Sequence, residues 1–245
     1  MIDHDRIKRK MRTFRKDPFG SSSAKLKQWL SPDKIVDRVY HKRILRRKYE
    51  ESYRIISEIR KGNALFGSYY KYVHLHKLLA GLQPNSILEF GSGSTTGIFA
   101  VYARKFNARV RTVEDNPSWM ENTRGALGDL AAQVDFVLSP VAEELGNPNR
   151  CFYRYTPAEL FDFVYVDGPP LVINGQSDRS AVNWNIVEMI GRGFGPRTIV
   201  IDMRLATAEY IAKKFSNDYK AYLLEKKHRF LDYRYHSFFV RRDPL

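Results

Sequence analysis

Apolar residues recur along this chain in two different spacings, and the change from one to the other divides it. Up to about residue 62 the spacing is helical: Ile35, Val36, Val39, Tyr40 and Ile44 fall on one face of a 3.6-residue period. Ser31-Pro32-Asp33 offers an N-cap with proline at the first helical position. The pattern predicts helices over "SSSAKLKQWL" and over residues 31–61, with residues 1–20 loosely ordered. After "KGN" a further helix is expected in "SYYKYVHLHKLLAGL", closed by Gly81 and Pro84. From residue 86 short apolar runs take over. Strands are predicted at 86–90, 109–114, 134–138, 162–167 and 198–202, with helices near 96–106, 117–127, 141–145, 178–192 and 206–216 between them. The runs are apolar throughout rather than alternating, as in a parallel sheet covered on both faces. The tail, "KAYLLEKKHRFLDYRYHSFFVRR", reads as two more strands with a turn near His228 to Asp232.

These elements predict an α/β fold: a doubly wound, mostly parallel seven-stranded sheet ending in an antiparallel hairpin, with an N-terminal helical extension. The expected division is residues 1–62 for the extension and 63–245 for the sheet domain. No internal repeat or low-complexity tract interrupts it.

Composition narrows the setting. A hydrophobic content of 43% supports a sizeable core. No run reaches the ~18 apolar residues of a membrane span. The N-terminus is polar and charged, without the apolar core of a secretory signal. The single cysteine, Cys151, excludes an intrachain disulfide framework and a cysteine-based zinc site. A cytoplasmic location is expected. Charge is uneven: residues 1–61 hold 19 Lys+Arg against 8 Asp+Glu, most of the total net charge of +14. Such an arm suits an anionic partner, RNA or an acidic membrane surface, or is simply a solvated helical segment. Its basic residues lack the interleaved aromatics of single-strand binders.

The chemistry concentrates in "SILEFGSGSTTGIFAVYARKF", residues 86–106. A strand ends in an acid (Glu89), then a turn with Gly91 and Gly93, then hydroxyl residues opening a helix. A dinucleotide fingerprint needs G-x-G-x-x-G, and here Thr96 stands at the third glycine position, with Gly97 one place late. A pyrophosphate gains nothing from the carboxylate of Glu89. A cofactor bearing an ammonium and a sulfonium does.

On these residues the chain resembles the class I S-adenosylmethionine-dependent methyltransferases over about residues 65–245. "LEFGSGSTT" resembles their first motif, "VRTVEDNPSWME" the second, "VDFVLSPVAEEL" the third and "FDFVYVDGPP" the fourth, in order and properly spaced. The resemblance implies a cofactor set of Glu89, Gly91, Ser92, Gly93, Thr95, Thr96, Glu114, Asp115, Ser139, Pro140, Val141, Asp167 and Gly168. In it Glu114 holds the ribose hydroxyls, and Ser139, Pro140 and Val141 line the adenine. Thr95 and Thr96 suit capping of the next helix and donation to the cofactor's carboxylate. Without a ligand, the same glycines serve packing alone.

Methyl transfer is an in-line displacement, and an alcohol acceptor must also lose its proton. Asp167, set before Gly168-Pro169-Pro170, is the first candidate for the reaction centre; otherwise it caps the turn's amides. Asp202 ends the next strand, and the two carboxylates invite a shared Mg²⁺ or Ca²⁺. Some similar O-methyltransferases use a metal there with a further Asp or Asn beside the second acid. Met203 and Arg204 follow here instead, so an ion pair of Arg204 with Asp167 or Asp202 competes with a metal. Arg179 and Arg204 are candidates to hold an anionic group of the substrate, and His236 is a candidate base. His74 and His76, two apart on a helix, make a poor metal pair. Tyr69, Tyr70 and Tyr72 suit a lid or, more simply, the core. Three functions follow. One is O-methylation of a small molecule or saccharide. Another is RNA methylation through the basic arm, for which "DGPPL" and the missing lysine and glutamate of a Lys-Asp-Lys-Glu set fit poorly. The last is a non-catalytic binding protein on the same fold.

Overall fold

The computed structural model describes residues 37–61, 69–144, 150–155, 157–169, 172–173, 176–177, 181–223 and 236–242. The helices expected before residue 37, Arg179 and the turn near 228–232 lie outside them. A π-helical turn (Asp37–His41) leads into α1 (Lys42–Lys48), α2 (Glu50–Ile59) and α3 (Tyr69–Leu82). Then come β1 (Ser86–Phe90), α4 (Ser94–Phe106), β2 (Arg109–Glu114), α5 (Pro117–Leu127) with a 3-10 turn (Gly128–Gln133), and β3 (Val134–Leu138). They are followed by β4 (Val141–Glu144), β5 (Arg150–Tyr153), β6 (Phe163–Val166), β7 (Val172–Ile173), β8 (Gln176–Ser177) and β9 (Val182–Asn183). The chain closes with α6 (Trp184–Gly191), β10 (Thr198–Asp202), α7 (Leu205–Lys214), β11 (Tyr219–Leu223) and β12 (His236–Arg241).

The central sheet has seven strands in the order β11-β12-β10-β6-β1-β2-β3. The run from β10 to β3 is parallel, and β12 is antiparallel to both of its neighbours. This is the expected doubly wound sheet with its terminal hairpin. Successive strand residues point to opposite faces, which is why the runs are apolar throughout. Ile87, Val110, Phe163, Tyr165 and Val200 face one core with Leu45, Ile55, Ile56, Ile59, Leu75, Leu79 and Phe99. Leu88, Phe90, Val164, Val166, Ile199 and Ile201 face the other with Ile186, Met189, Ala208 and Ile211. Helices α1 to α4 therefore cover one face, and α6 and α7 the other. The described part of the N-terminal segment shares the first core with the sheet: a Cβ on Gly97 of α4 would stand 2.7 Å from Ile55 Cγ2 of α2.

Two expectations fail locally. Of the helix expected over 141–145, the described residues 141–144 form a strand instead; β4 pairs antiparallel with β5, Val141 opposite Tyr153, in a small sheet completed by β9. Ala-Glu-Glu has helix propensity, but cross-strand pairing overrides it. The helix expected over 31–61 breaks at Tyr49 (φ −135°, ψ 49°), whose ring stacks on His76 of α3 at 3.8 Å. The break lets Leu45 and the isoleucines of α2 meet one core.

Candidate active site

The strand register brings the acids together. Phe90 of β1 lies opposite Val113 of β2 and Val166 of β6, and Val166 lies opposite Ile201 of β10. The next residues, Gly91, Glu114, Asp167 and Asp202, thus stand at one level at the carboxyl ends of four adjacent strands. From β1 the chain winds outward through β2 and β3, then returns to β6 on the other side and continues to β10. The reversal between β1 and β6 makes a crevice at those strand ends, where open α/β sheets receive ligands.

On the β1–β2 side, the turn after β1 has Gly91 at φ +95°, a conformation side chains disfavour. A Cβ there would also lie 2.7 Å from the Gly168 nitrogen. The glycine is thus explained by the approach of one turn to another, not only by room for a ligand. Gly168 donates to the Phe90 carbonyl at 2.5 Å. A Cβ on Gly168 would strike the Tyr153 hydroxyl. Glu89 is fully buried and accepts from Thr95, from Thr96 at 2.6 Å and from Thr112 at 3.0 Å. Burial outweighs these donors and pushes its pKa up to about 8. The hydroxyls of Thr95 and Thr96 are thus spent on Glu89 in this structure. Thr96 also accepts from the Gly93 nitrogen, capping α4.

Glu114 accepts four hydrogen bonds: Ser92 N and Oγ on one oxygen at 2.8 and 2.9 Å, Asp115 N and Asn116 N on the other at 3.1 and 3.0 Å. It pins the glycine turn to the end of β2. Beside it, Asp115 Oδ1 is buried without a hydrogen-bond partner. Burial and the Glu114 charge push the Asp115 pKa up to about 6. Ser139 is buried and donates its backbone N–H to the Glu114 carbonyl at 2.8 Å; Pro140 is exposed and Val141 half-buried beyond it.

The β6–β10 side is built differently. Asp167 is open to solvent at the crevice floor. Enclosure by the crevice walls and the Asp202 charge raise its pKa, Lys71, Arg204 and Arg60 pull it down, and the balance lies at about 6. Asp202 is 3% exposed. It is held by the Lys71 ammonium of α3 and by the Tyr165 hydroxyl at 3.0 Å. Burial opposes the charge on Lys71, but Asp202, Tyr72 and Asp167 outweigh it, so the lysine's pKa is raised. Arg204 is 8% exposed and donates Nη2 to the Asp167 carbonyl, while its Nε and Nη1 are buried without a hydrogen-bond partner. It thus pairs with the backbone of Asp167 rather than with either carboxylate. Asn183 fixes the turn below, donating to the Gly168 carbonyl at 2.7 Å.

His236 lies in β12 in register with Asp202. Arg179 is outside the described residues. His74 and His76 lie further along α3 than Lys71, and burial pushes each down to about 4. Tyr69 and Tyr72 belong to the core. Lys71, Tyr153 and Asn183 were missed in the sequence. Lys71 sits in "YYKYVHLHK", where only its isolation among apolar residues marked it. Tyr153 belongs to a strand not foreseen. Asn183 carried the one legible signal, an N-cap asparagine before α6.

Comparison with protein-family models and with curated proteins finds no match. Solved structures do match. The chain is similar to the SAH-bound Podospora anserina methyltransferase PaMTH1, at 14% identity over 79% of this chain and 88% of that one, with a TM-score of 0.56. It is also similar to an O-methyltransferase from Bacillus cereus in complex with SAH, at 16% identity over 88% of this chain and 99% of that one, with a TM-score of 0.54. At these identities the likeness is one of fold, and the fold is that of these methyltransferases.

Proposed function

We propose that the chain is an S-adenosylmethionine-dependent methyltransferase acting on an oxygen of a small molecule or saccharide, with Asp167 taking the acceptor's proton. The observation that carries this reading is the common level of Gly91, Glu114 and Asp167 at the switch point of the sheet. The O-methyltransferase fold of the Bacillus cereus neighbour, bound to SAH, agrees with it.

The residues fit the cofactor. The amino end of α4 presents backbone N–H groups to a carboxylate. Asp115 Oδ1 is a buried acceptor without a donor, suited to a hydroxyl or ammonium. Glu114 would accept a ribose hydroxyl by exchanging the Ser92 hydroxyl for it. The cofactor supplies a methyl group on a cationic sulfur. Asp167 has the right character for the proton: an accessible carboxylate with a pKa near 6, ionised at neutral pH yet basic enough to accept. The two unpaired donors of Arg204 suit an anionic or strongly polar group on the acceptor.

The test is transfer of isotopically labelled methyl from S-adenosylmethionine to a panel of phenols, hydroxy acids, sugars and RNA. Label on the oxygen of a small acceptor, absent with D167N, supports the reading. Label on nitrogen or carbon alone contradicts it. RNA stays a second reading because Lys71 brings a lysine beside Asp167 and because Arg43, Arg46, Arg47 and Lys48 are exposed on α1. In that case label enters ribose, and binding weakens steeply with salt.

A further inference from the structure

Two carboxylates on adjacent strand ends normally invite a divalent cation, because Mg²⁺ and Ca²⁺ prefer oxygen ligands. The residues at the ends of β6 and β10 do not fit one. One oxygen of Asp202 already carries the Lys71 ammonium and the Tyr165 hydroxyl. The residue after it is Met203, at φ +59°, followed by Arg204, so no second oxygen ligand adjoins it. No group of three His, Cys, Asp or Glu side chains among the described residues is arranged to hold a metal.

Lys71 comes from a distant part of the chain and is placed with care. It projects from the first turns of α3, is 12% exposed at its side chain, and its partner is 4% exposed. Neighbouring Tyr72 is fully buried, with the Arg60 guanidinium 5.2 Å from its ring centroid. A surface ion pair contributes little, but a buried one fixes geometry and is strongly disturbed when one partner is removed. Lys71, Arg204 and Arg60 each act on Asp167 with positive charge, and Lys71 bonds Asp202 directly.

We propose that Lys71 is the resident cation of this site: its ammonium, held on Asp202, takes the position a divalent metal would occupy and sets the field in which Asp167 accepts the acceptor's proton. This rests on the methyltransferase reading for its consequence in turnover, but not for its consequence in metal binding. In the transfer step the acceptor O–H proton passes to the Asp167 carboxylate, and the oxygen lone pair forms the new O–C bond. The C–S bond breaks, and its electrons neutralise the sulfonium. Lys71 keeps its proton throughout and acts through Asp202 and Asp167, as a positioning residue.

The experiment uses the full chain, with wild type, K71M and the neutral pair K71M/D202N, the last avoiding a buried unpaired carboxylate if K71M fails to fold. Titration calorimetry with Mg²⁺ and with Ca²⁺ to millimolar concentration, without cofactor, is expected to give no site-specific heat in wild type. Turnover is expected to survive chelator unchanged. The folded K71M/D202N protein is expected to bind S-adenosylmethionine within a few fold of wild type and lose about 10²-fold in turnover, the scale of one preorganised electrostatic group. Where K71M folds, the acid limb of its pH–rate profile should move upward, because Asp167 loses a cation that lowers its pKa. Divalent binding by wild type that D202N abolishes overturns the proposal. So does a K71M/D202N protein with wild-type turnover, which would make the pair purely structural. Failure of wild type to bind S-adenosylmethionine would instead remove the methyltransferase reading and leave the metal titration standing.

Discussion

The two sides of the crevice hold their acids in opposite ways. On the β1–β2 side Glu89 and Glu114 are buried under neutral donors, threonine and serine hydroxyls and backbone N–H groups, with no lysine or arginine bonded to either carboxylate among the described residues. On the β6–β10 side Asp202 is bonded to Lys71, and Asp167 lies in the field of Lys71, Arg204 and Arg60. Glu89, with its pKa near 8, keeps its proton at neutral pH, so the negative field that the first side offers a cationic ligand comes from Glu114, whose neutral donors do not cancel it. Fixed cations cancel the field of the second side and tune one open carboxylate for proton transfer. The contrast gives one sheet edge a place for a positively charged donor and a place for an acceptor that must lose a proton.

The variants that test this contrast differ in size of effect. D167N should lower turnover by about 10²–10⁴-fold, the contribution of a positioned base, while calorimetry finds cofactor affinity within a few fold of wild type. Unchanged turnover would take Asp167 out of the chemistry. E114Q should act on the other side alone, weakening S-adenosylmethionine by about 1–3 kcal/mol through lost charged hydrogen bonds; wild-type affinity would remove Glu114 from the cofactor site. Gly97→Ala touches neither side. It presses on Ile55 and should lower stability by about 1 kcal/mol or somewhat more, overpacking outweighing the gain in helix propensity, as read by urea denaturation with both affinities unchanged.

The pH dependences separate the sides as well. Turnover needs Asp167 ionised, so it should fall as pH drops through about 6. Glu89 enters with the other sign and in stability. Its folded pKa of about 8 lies above its ordinary 4.5, so the folded state keeps a proton that the unfolded chain has released. Its contribution is complete below about 4.5 and is lost as pH rises to 8. Glu89→Gln should flatten that part of the melting temperature–pH curve. An identical slope in the variant would show that Glu89 does not titrate there.

Much of this was legible in the chain. The five parallel strands and the hairpin follow from apolar runs of strand length, and Glu89, Gly91, Glu114 and Asp167 were marked by their places at strand ends. What stayed hidden depends on contacts between distant segments. Lys71 bonds Asp202 across 131 positions, and no local pattern records such a pair. Thr96 caps α4 as its place in the sequence suggests, but the bonds of Thr95 and Thr96 to Glu89 stayed hidden for the same reason, since that carboxylate lies on the strand before and is reached only once the turn is folded. Residues 141–144 took strand form because a partner strand was available, which local propensity does not encode.

Calorimetric titration of the full wild-type chain with S-adenosylmethionine, run beside a nicotinamide dinucleotide, tests the central claim most directly. S-adenosylmethionine should bind saturably and one to one, unaffected by the dinucleotide and more weakly in E114Q. A folded protein that gives no heat with S-adenosylmethionine, or that takes up the dinucleotide in its place, would contradict that claim.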